Sequence, residues 1–289
     1  MMGGGAKGEE RMKIVGLKVN YQENPIGIEL SGITFSCLAH GRAVKRFRSL
    51  GMKGKMGIVL NMSGHYPADE KQEQKDAAER LHQANNAWFA EPIFKGTYPR
   101  EILDWYRRKG LMPEISKEEM EEIKQPMDFL GINHYFCVKD SYREGAFPLE
   151  AESRPWGTDF TEMGWGIYPQ GFYDLLIRLN QDYGNIPIYI TENGAAFRDM
   201  VTEGGRVPDG NRIEYLRRYL REVLHAIEDS VPVKGYFVWS FMDNFEWGLG
   251  FSRRFGLVHV DYETKKRTVK DSGYWYRDVI EANELTFTP

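Results

Sequence analysis

Four short apolar runs separated by long amphipathic segments constrain the fold of this chain more than any other feature. The runs cover residues 56–61, 127–133, 186–191 and 235–241. Apolar runs of this length are typical of strands that are buried on both faces of a sheet. Because helical patterns lie between them, the sequence predicts an α/β fold with βα units on a parallel sheet.

The helical segments are predicted from apolar spacing. We expect helices at about 69–89, after Pro169 as far as Tyr183, at about 211–228 and near the C-terminus. Ser116 with Glu119 predicts a capping box. The first helix is anchored on residues at helical spacing, and the helix at 211–228 has its own apolar stripe. The anchoring set is Leu38, Val44, Phe47 and Leu50, and the stripe is Ile213, Leu216, Leu220, Val223, Leu224 and Ile227.

Composition narrows the classes of partner. The 38 basic and 42 acidic residues give a net charge of -4, which argues against a nucleic acid or membrane partner because either needs a basic face.

Cys37 and Cys137 lie in no metal-ligand spacing, so we expect two reduced thiols, no metal and no cofactor. With no apolar segment typical of a signal peptide, we expect a cytoplasmic protein. The 7 Trp, 16 Tyr and 16 Phe also suit a site that stacks flat apolar faces.

Polar and aromatic residues follow the predicted strands where functional side chains of parallel α/β folds cluster. Glu192 follows the third strand, Asn133 and Tyr135 follow the second, and Glu246 lies soon after the fourth. A single Glu at a strand end commonly caps a loop or forms an ion pair. Its aromatic neighbours favour another interpretation, since a carboxylate accepts two sugar hydroxyls and an indole covers a sugar face.

Longer motifs carry a family resemblance. The segments 189–194 (YITENG) and 238–247 (VWSFMDNFEW) closely resemble the retaining β-glucosidases of glycoside hydrolase family one. The segments 129–133 (FLGIN), 254–262 (RFGLVHVDY) and 274–276 (YWY) continue the resemblance, which runs from about residue 37 to the C-terminus.

The resemblance implies roles for seven residues. Glu192 is the nucleophile, and Tyr135 orients it through its hydroxyl. The implied substrate-binding residues are Asn133, Trp239, Glu246, Trp247 and Phe255. The phospho-sugar branch of the family lacks an acid at the position of Glu246, so the implied substrate is a small neutral β-glycoside. His134 stands where the family usually has Tyr.

The resemblance covers part of the family fold. It implies the C-terminal half of a (β/α)8 TIM barrel, strands five to eight, over residues 37–289. Residues 1–36 are expected to be an unmatched, disordered leader. No acid/base residue is expected in the chain, because the family's Asn-Glu-Pro motif is absent. Two glutamates next to or near a proline are rejected as substitutes: Glu23 has its neighbours in the wrong order, and Glu91 falls in the family's helical segment after strand five. Half a barrel leaves strand edges unpaired, so we expect self-association or pairing with a missing N-terminal half.

Three functions follow as hypotheses. The first is a β-glucosidase-type retaining hydrolase, impaired by truncation, that forms a covalent glycosyl-enzyme on Glu192. The second is a catalytically inactive fragment that binds glycosides or a full-length partner. The third, a barrel enzyme with unrelated chemistry, is disfavoured because the sequence shows no phosphate-binding glycine loop or metal cluster.

Overall fold

The computed structural model describes residues 25–112 and 115–285, with only the backbone of residues 25–29, so residues 1–24 of the expected leader lie outside it. The described residues divide into two compact units, one reaching to residue 52 and including 91–125, the other comprising 53–90 and 126 onward. Residues 25–36 are helical, and the proposed division at residue 36 stays a prediction. Among the described residues, no helix has the length and apolarity needed to cross a bilayer.

The elements have the following bounds. The helices are α1 (Pro25–Ser49), α2 (Gln72–His82), α3 (Trp88–Phe94), α4 (Arg100–Arg108), α5 (Lys117–Ile123), α6 (Gln170–Tyr183), α7 (Gly210–Glu228) and α8 (Asp271–Ala282). The strands are β1 (Gly57–Asn61), β2 (Gly64–Pro67), β3 (Phe129–Asn133), β4 (Cys137–Tyr142), β5 (Ala151–Trp156), β6 (Asp159–Phe160), β7 (Gly166–Ile167), β8 (Ile188–Asn193), β9 (Val233–Val238), β10 (Val258–Val260) and β11 (Arg267–Val269).

A parallel sheet in the second unit contains all four predicted strands. Its order is β1-β3-β8-β9, and every neighbouring pair is parallel. The predicted βα alternation is therefore confirmed, with strand bounds that differ by one to three residues. A smaller sheet, β2-β4-β5, was not predicted; β2 pairs with β4 in parallel and β4 with β5 in antiparallel fashion.

The two faces of the central sheet differ in burial. Leu130, Ile132, Ile188 and Ile190 are fully buried, whereas Val59 on the edge strand β1 is 47% exposed. On the other edge strand, β9, Phe237 is 56% exposed. Residues two apart share a face, and contacts about Gly131 and Gly235 place Val59 and Phe237 on the same one. This second face, which we call the open face, carries exposed apolar side chains at both of its edges.

Helix α7 differs from its prediction in the face that it buries. Leu216 and Val223 are buried as predicted, but Leu224 and Ile227 are more than 40% exposed. Arg212, Tyr215 and Tyr219 are buried instead, the arginine with carboxylate partners and the tyrosine rings stacked 4.3 Å apart. A prediction based on the spacing of apolar residues does not find polar side chains of this kind, which are buried because their polar atoms have partners in the core.

The helical region predicted at 69–89 is longer and irregular. Helix α2 leads into a π-helical turn, Gln83–Ala87, and α3 continues to Phe94 with Pro92 inside it. Glu91 is therefore helical, as expected, and it forms an ion pair with Lys95 at 2.8 Å. Glu23 lies outside the described residues.

The first unit contains α1 and α5 in close contact. A β-carbon at Gly41 would lie 2.0 Å from the carbonyl oxygen of Glu122, so only glycine permits this approach. Arg42 adds an ion pair to Glu122 at 2.7 Å. The predicted capping box at the start of α5 is confirmed, with Ser116 and Glu119 bonded reciprocally.

Candidate active site

The four central strands end together at one edge of the sheet. Asn61 lies opposite Asn133, Asn133 lies opposite Glu192, and Asn193 lies opposite Val238. Polar residues at the ends of β1, β3 and β8 are thus brought side by side, and β9 ends beside them at Val238. This is the edge at which parallel α/β folds build their sites.

A bulge in β8 sets the direction of Glu192. Ile132 pairs with Ile190, but the next residue, Asn133, pairs with Glu192, so Thr191 has no opposite residue. The Thr191 side chain shares the open face with Gly131. Strict alternation would then send Glu192 to the opposite face, and the bulge redirects it.

Glu192 is held by the phenol of Tyr135. The hydroxyl donates a hydrogen bond to Oε2 of Glu192, and both side chains are half-buried. Burial first, and then the hydrogen bond to Glu192, raises the pKa of Tyr135. The phenol therefore stays protonated and serves as a fixed donor to the carboxylate.

Glu246 and Trp239 lie in the same cluster. The pKa of the half-buried Glu246 carboxyl is raised by burial first and then by the negative charge of Glu192. The indole of Trp239 opposes this rise in pKa with a hydrogen bond to Glu246. Two carboxyl groups and an indole donor, all predicted from sequence, therefore meet at one site.

An aromatic wall stands behind Tyr135. Phe255 lies edge-on to Tyr135 at 6.4 Å between ring centroids, and Trp165 lies 5.2 Å from Tyr135. Phe255 is 2% exposed, so it packs against the tyrosine ring rather than opening to solvent. Trp165 was missed, because it sits between glycines before the short strand β7 and follows no central strand.

The two asparagines at strand ends have different tasks. Asn133 accepts a hydrogen bond from the Thr191 hydroxyl at 2.7 Å, which ties it to the bulged strand. Asn193 is fully buried and donates to the carbonyl of His134 at 2.7 Å and to the hydroxyl of Tyr215 at 3.1 Å. Asn193 therefore fixes the strand tip that carries Glu192.

Trp247 lies at the start of a short 3-10 helix and is 83% exposed. Both faces of a side chain that exposed are available to a flat partner. Its implied contact with sugar hydroxyls stays a prediction.

His134 points away from the site, although it lies between two site residues. It is fully buried and stacks on Phe172 with the ring centroids 4.4 Å apart. Nδ1 donates to the carbonyl of Met62 at 2.9 Å, Nε2 has no hydrogen-bond partner, and burial lowers the pKa of the imidazole to about 4. The ring is therefore neutral and belongs to the core.

A buried cluster of charges anchors the loop that carries Trp239 and Glu246. Lys270 contacts Asp199 and Asp243 at 2.5 and 2.8 Å, and guanidinium groups flank both carboxylates. We call the following six residues the ion cluster: Asp199, Asp209, Arg212, Asp243, Arg254 and Lys270. Sequence reasoning missed it, because its members are far apart in the chain and charged residues are most often exposed.

Within the described ranges, no group of three His, Cys, Asp or Glu side chains could hold a metal ion.

Comparison with known proteins places these features in context. The model for glycosyl hydrolase family 1 matches residues 29–285, a match that begins eight residues before the expected start at 37. Beta-glucosidase A of Acetivibrio thermocellus is 45% identical over 249 residues, covering 85% of this chain and 55% of that protein. The 1,4-beta-D-glucan glucohydrolase of Thermotoga neapolitana is 47% identical over 249 residues, with 86% and 55% covered.

Solved structures agree with the sequence comparison. The family 1 β-glucosidase of Thermotoga maritima superposes with a TM-score of 0.86 at 44% identity, covering 90% of this chain and 58% of that one. The same enzyme in complex with deoxynojirimycin gives the same values. The chain has an α/β fold that matches part of these barrel structures, and it spans about half the length of the curated relatives it matches.

Proposed function

The chain belongs to glycosyl hydrolase family 1, and from that membership we propose that it acts on small neutral β-glycosides as a β-glucosidase-type retaining hydrolase. The proposed nucleophile is Glu192, which attacks the anomeric carbon and forms a glycosyl-enzyme. The names of relatives as β-glucosidases and the binding of deoxynojirimycin by one of them support this substrate class.

The hydrogen bond from Tyr135 to Glu192 is the observation that carries the proposal. A donor on one carboxylate oxygen fixes the rotamer of Glu192 and leaves the other oxygen for attack. Retaining hydrolysis needs a carboxylate placed beside the anomeric carbon of the sugar, and the phenol holds that carboxylate in one orientation.

Glu246 and Trp239 supply recognition of the sugar. The carboxylate of Glu246 accepts hydroxyl hydrogens, and the indole of Trp239 donates to it and covers an apolar sugar face. Since a carboxylate repels a phosphate, the same residue favours an uncharged glycoside.

The missing acid/base limits the rate. These 289 residues contain no Asn-Glu-Pro motif, so the leaving oxygen must take its proton from water. General acid–base assistance is typically worth ~10²–10⁴-fold. We therefore expect measurable glycosylation only with an activated aryl glycoside, followed by slow hydrolysis of the intermediate.

The open face favours a second candidate, a chain that binds glycosides or pairs with another chain without turnover. Val59 and Phe237 are about half exposed on the two edge strands of the sheet. Burial of these side chains against a second copy, or against an N-terminal barrel half, removes apolar surface from water.

A mechanism-based label separates the two candidates. The chain is incubated with 2,4-dinitrophenyl 2-deoxy-2-fluoro-β-glucoside, and intact mass and peptide mapping are measured. We expect a stoichiometric adduct on Glu192 and none in Glu192→Gln. A stable, folded chain that gives no adduct at high label concentration contradicts the hydrolase and supports the binding function.

A further inference from the structure

Ser63, His65 and Asp140 are hydrogen-bonded in series in the second unit. Nδ1 of His65 lies 2.8 Å from Oδ2 of Asp140, and Nε2 lies 3.3 Å from Oγ of Ser63. The side chains of His65 and Asp140 are 2% and 0% exposed. Because a carboxylate faces Nδ1, that nitrogen carries the proton and Nε2 presents a lone pair to the serine.

The surroundings fix each member of this series. Ser153 donates to the other oxygen of Asp140 at 2.6 Å, so the carboxylate cannot rotate away from His65. Asn86 bonds both backbone groups of Ser63, accepting from its N–H at 3.3 Å and donating to its carbonyl at 2.8 Å. The serine backbone is thereby held beside the imidazole.

The π-helical turn at Gln83–Ala87 also brings the side-chain amide of Asn85 close to His65. Nδ2 of Asn85 lies 3.3 Å from Nε2 of His65, and Asn85 is exposed. The amide of Asn85 and the hydroxyl of Ser63 thus approach the same nitrogen of His65, and an exposed amide donor in that position is suited to an oxygen that gains negative charge. Such turns are frequent at functional sites.

A pocket of about 510 Å³ opens onto these groups. Ser63, His65, Asn85 and Ser153 line it together with Phe89, Tyr135 and other residues, none of which is Asp, Glu, Lys or Arg. Through Tyr135 the pocket borders the candidate active site. An uncharged wall with aromatic and aliphatic members suits an uncharged, partly apolar ligand.

We propose that Ser63, His65 and Asp140 form a second, esterolytic site that takes short-chain uncharged carboxylic esters. Oγ of Ser63 attacks the ester carbonyl carbon while its proton passes to Nε2 of His65, and Asn85 donates to the resulting oxyanion. The C–O bond to the alcohol then breaks, and His65 returns the proton to the leaving alcohol oxygen. Water, deprotonated by His65, attacks the acyl-serine, which releases the carboxylic acid and restores the hydroxyl.

The experiment uses the full 289-residue chain with two readouts. A fluorophosphonate probe, which loses fluoride when an activated serine attacks its phosphorus, reports the nucleophile by intact mass and peptide mapping. Hydrolysis of 4-nitrophenyl butyrate reports turnover. We expect the label on Ser63 and butyrate hydrolysis that falls ~10²–10⁴-fold in His65→Gln and about 10²-fold in Asn85→Ala, mainly in kcat.

Matched serine variants complete the test. Ser63→Ala should lose both the label and the turnover, whereas Ser141→Ala, one residue from Asp140 on β4, should keep both. Circular dichroism checks that each variant folds. An unlabelled Ser63 in the wild-type chain overturns the proposal without recourse to any variant, as does butyrate hydrolysis that survives Ser63→Ala in full. The label and the ester contain no sugar, so neither readout depends on recognition of a glycoside, and peptide mapping separates a label on Ser63 from one on Glu192.

Discussion

Replacing Lys270 with methionine tests the ion cluster beneath the active-site loop. The substitution keeps the length and apolar stem of the side chain but removes the ammonium that bridges Asp199 and Asp243. The cluster contains three cations and three carboxylates, so the variant buries one net negative charge.

The magnitude follows from what remains. Breaking a buried ion pair by removing one partner costs about 3–5 kcal/mol. Asp199 keeps Arg212 at 2.8 Å, and Asp243 keeps Arg254, so we place the loss in unfolding free energy at about 3 kcal/mol, the lower end. An unfolding entropy of about 2.1 cal/mol/K per residue gives about 0.6 kcal/mol/K for 289 residues, hence a fall in Tm of about 5 °C.

Thermal unfolding followed by circular dichroism measures this effect. Lys75→Met is the matched control, because Lys75 contacts Glu70 at 2.8 Å on the surface, where an ion pair is worth about 0–1 kcal/mol. Adding Asp199→Asn to Lys270→Met restores the neutral balance, so the double variant should be less destabilised than the sum of the single variants. If Lys270→Met and Lys75→Met lose equal stability, the reasoning is refuted.

Three further predictions concern the site and its core. Tyr135→Phe should slow labelling of Glu192 by the fluoroglucoside by at least about 10-fold, since loss of one hydrogen bond to a charged group costs about 1.5–3 kcal/mol; an unchanged labelling rate in stopped-flow traces would exclude the positioning role. Azide should accelerate turnover of an activated aryl glucoside and give the glycosyl azide by mass spectrometry, because an anion needs no general base; equal rates with and without azide would show that deglycosylation is not limiting. His134→Phe should reduce the loss of stability at acidic pH. The pKa of His134 in the folded chain is about 4, below the ordinary 6.5, so the unfolded state binds more protons than the folded state as the pH falls. The native chain therefore loses up to about 3 kcal/mol of unfolding free energy between pH 6.5 and 4, and the variant, which has no imidazole at this position, keeps it. Urea unfolding at pH 7 and 4 checks this, and an equal loss in both proteins would contradict it.

The apolar runs predicted the central sheet because buried parallel strands leave a strong local signal. Helix α6 was also predicted closely, since Pro169 precedes it and Leu175 and Leu179 fall on one face. Helix α7 was predicted in extent but not in orientation, because Tyr219 and Arg212 are buried by partners distant in the sequence.

The candidate site was predictable only in part. Glu192, Tyr135 and Glu246 were expected together because strand ends converge and the motifs are long. Trp165 and the ion cluster could not be found in this way, since the loops that bring them into place have no periodic pattern. The neighbouring series at Ser63 was equally hidden, because β4 supplies its carboxylate from a strand that the apolar pattern did not indicate.

The single unmatched residue in β8 has a consequence for engineering. A designer who rebuilt this strand with an ideal pleat would preserve every hydrophobic contact and yet turn the Glu192 carboxylate towards the helical layer. Straightening the strand with every residue retained should therefore leave a well-folded sheet with no nucleophile on its rim. In the proposed mechanism, the direction of the nucleophile depends on a local departure from regular strand geometry.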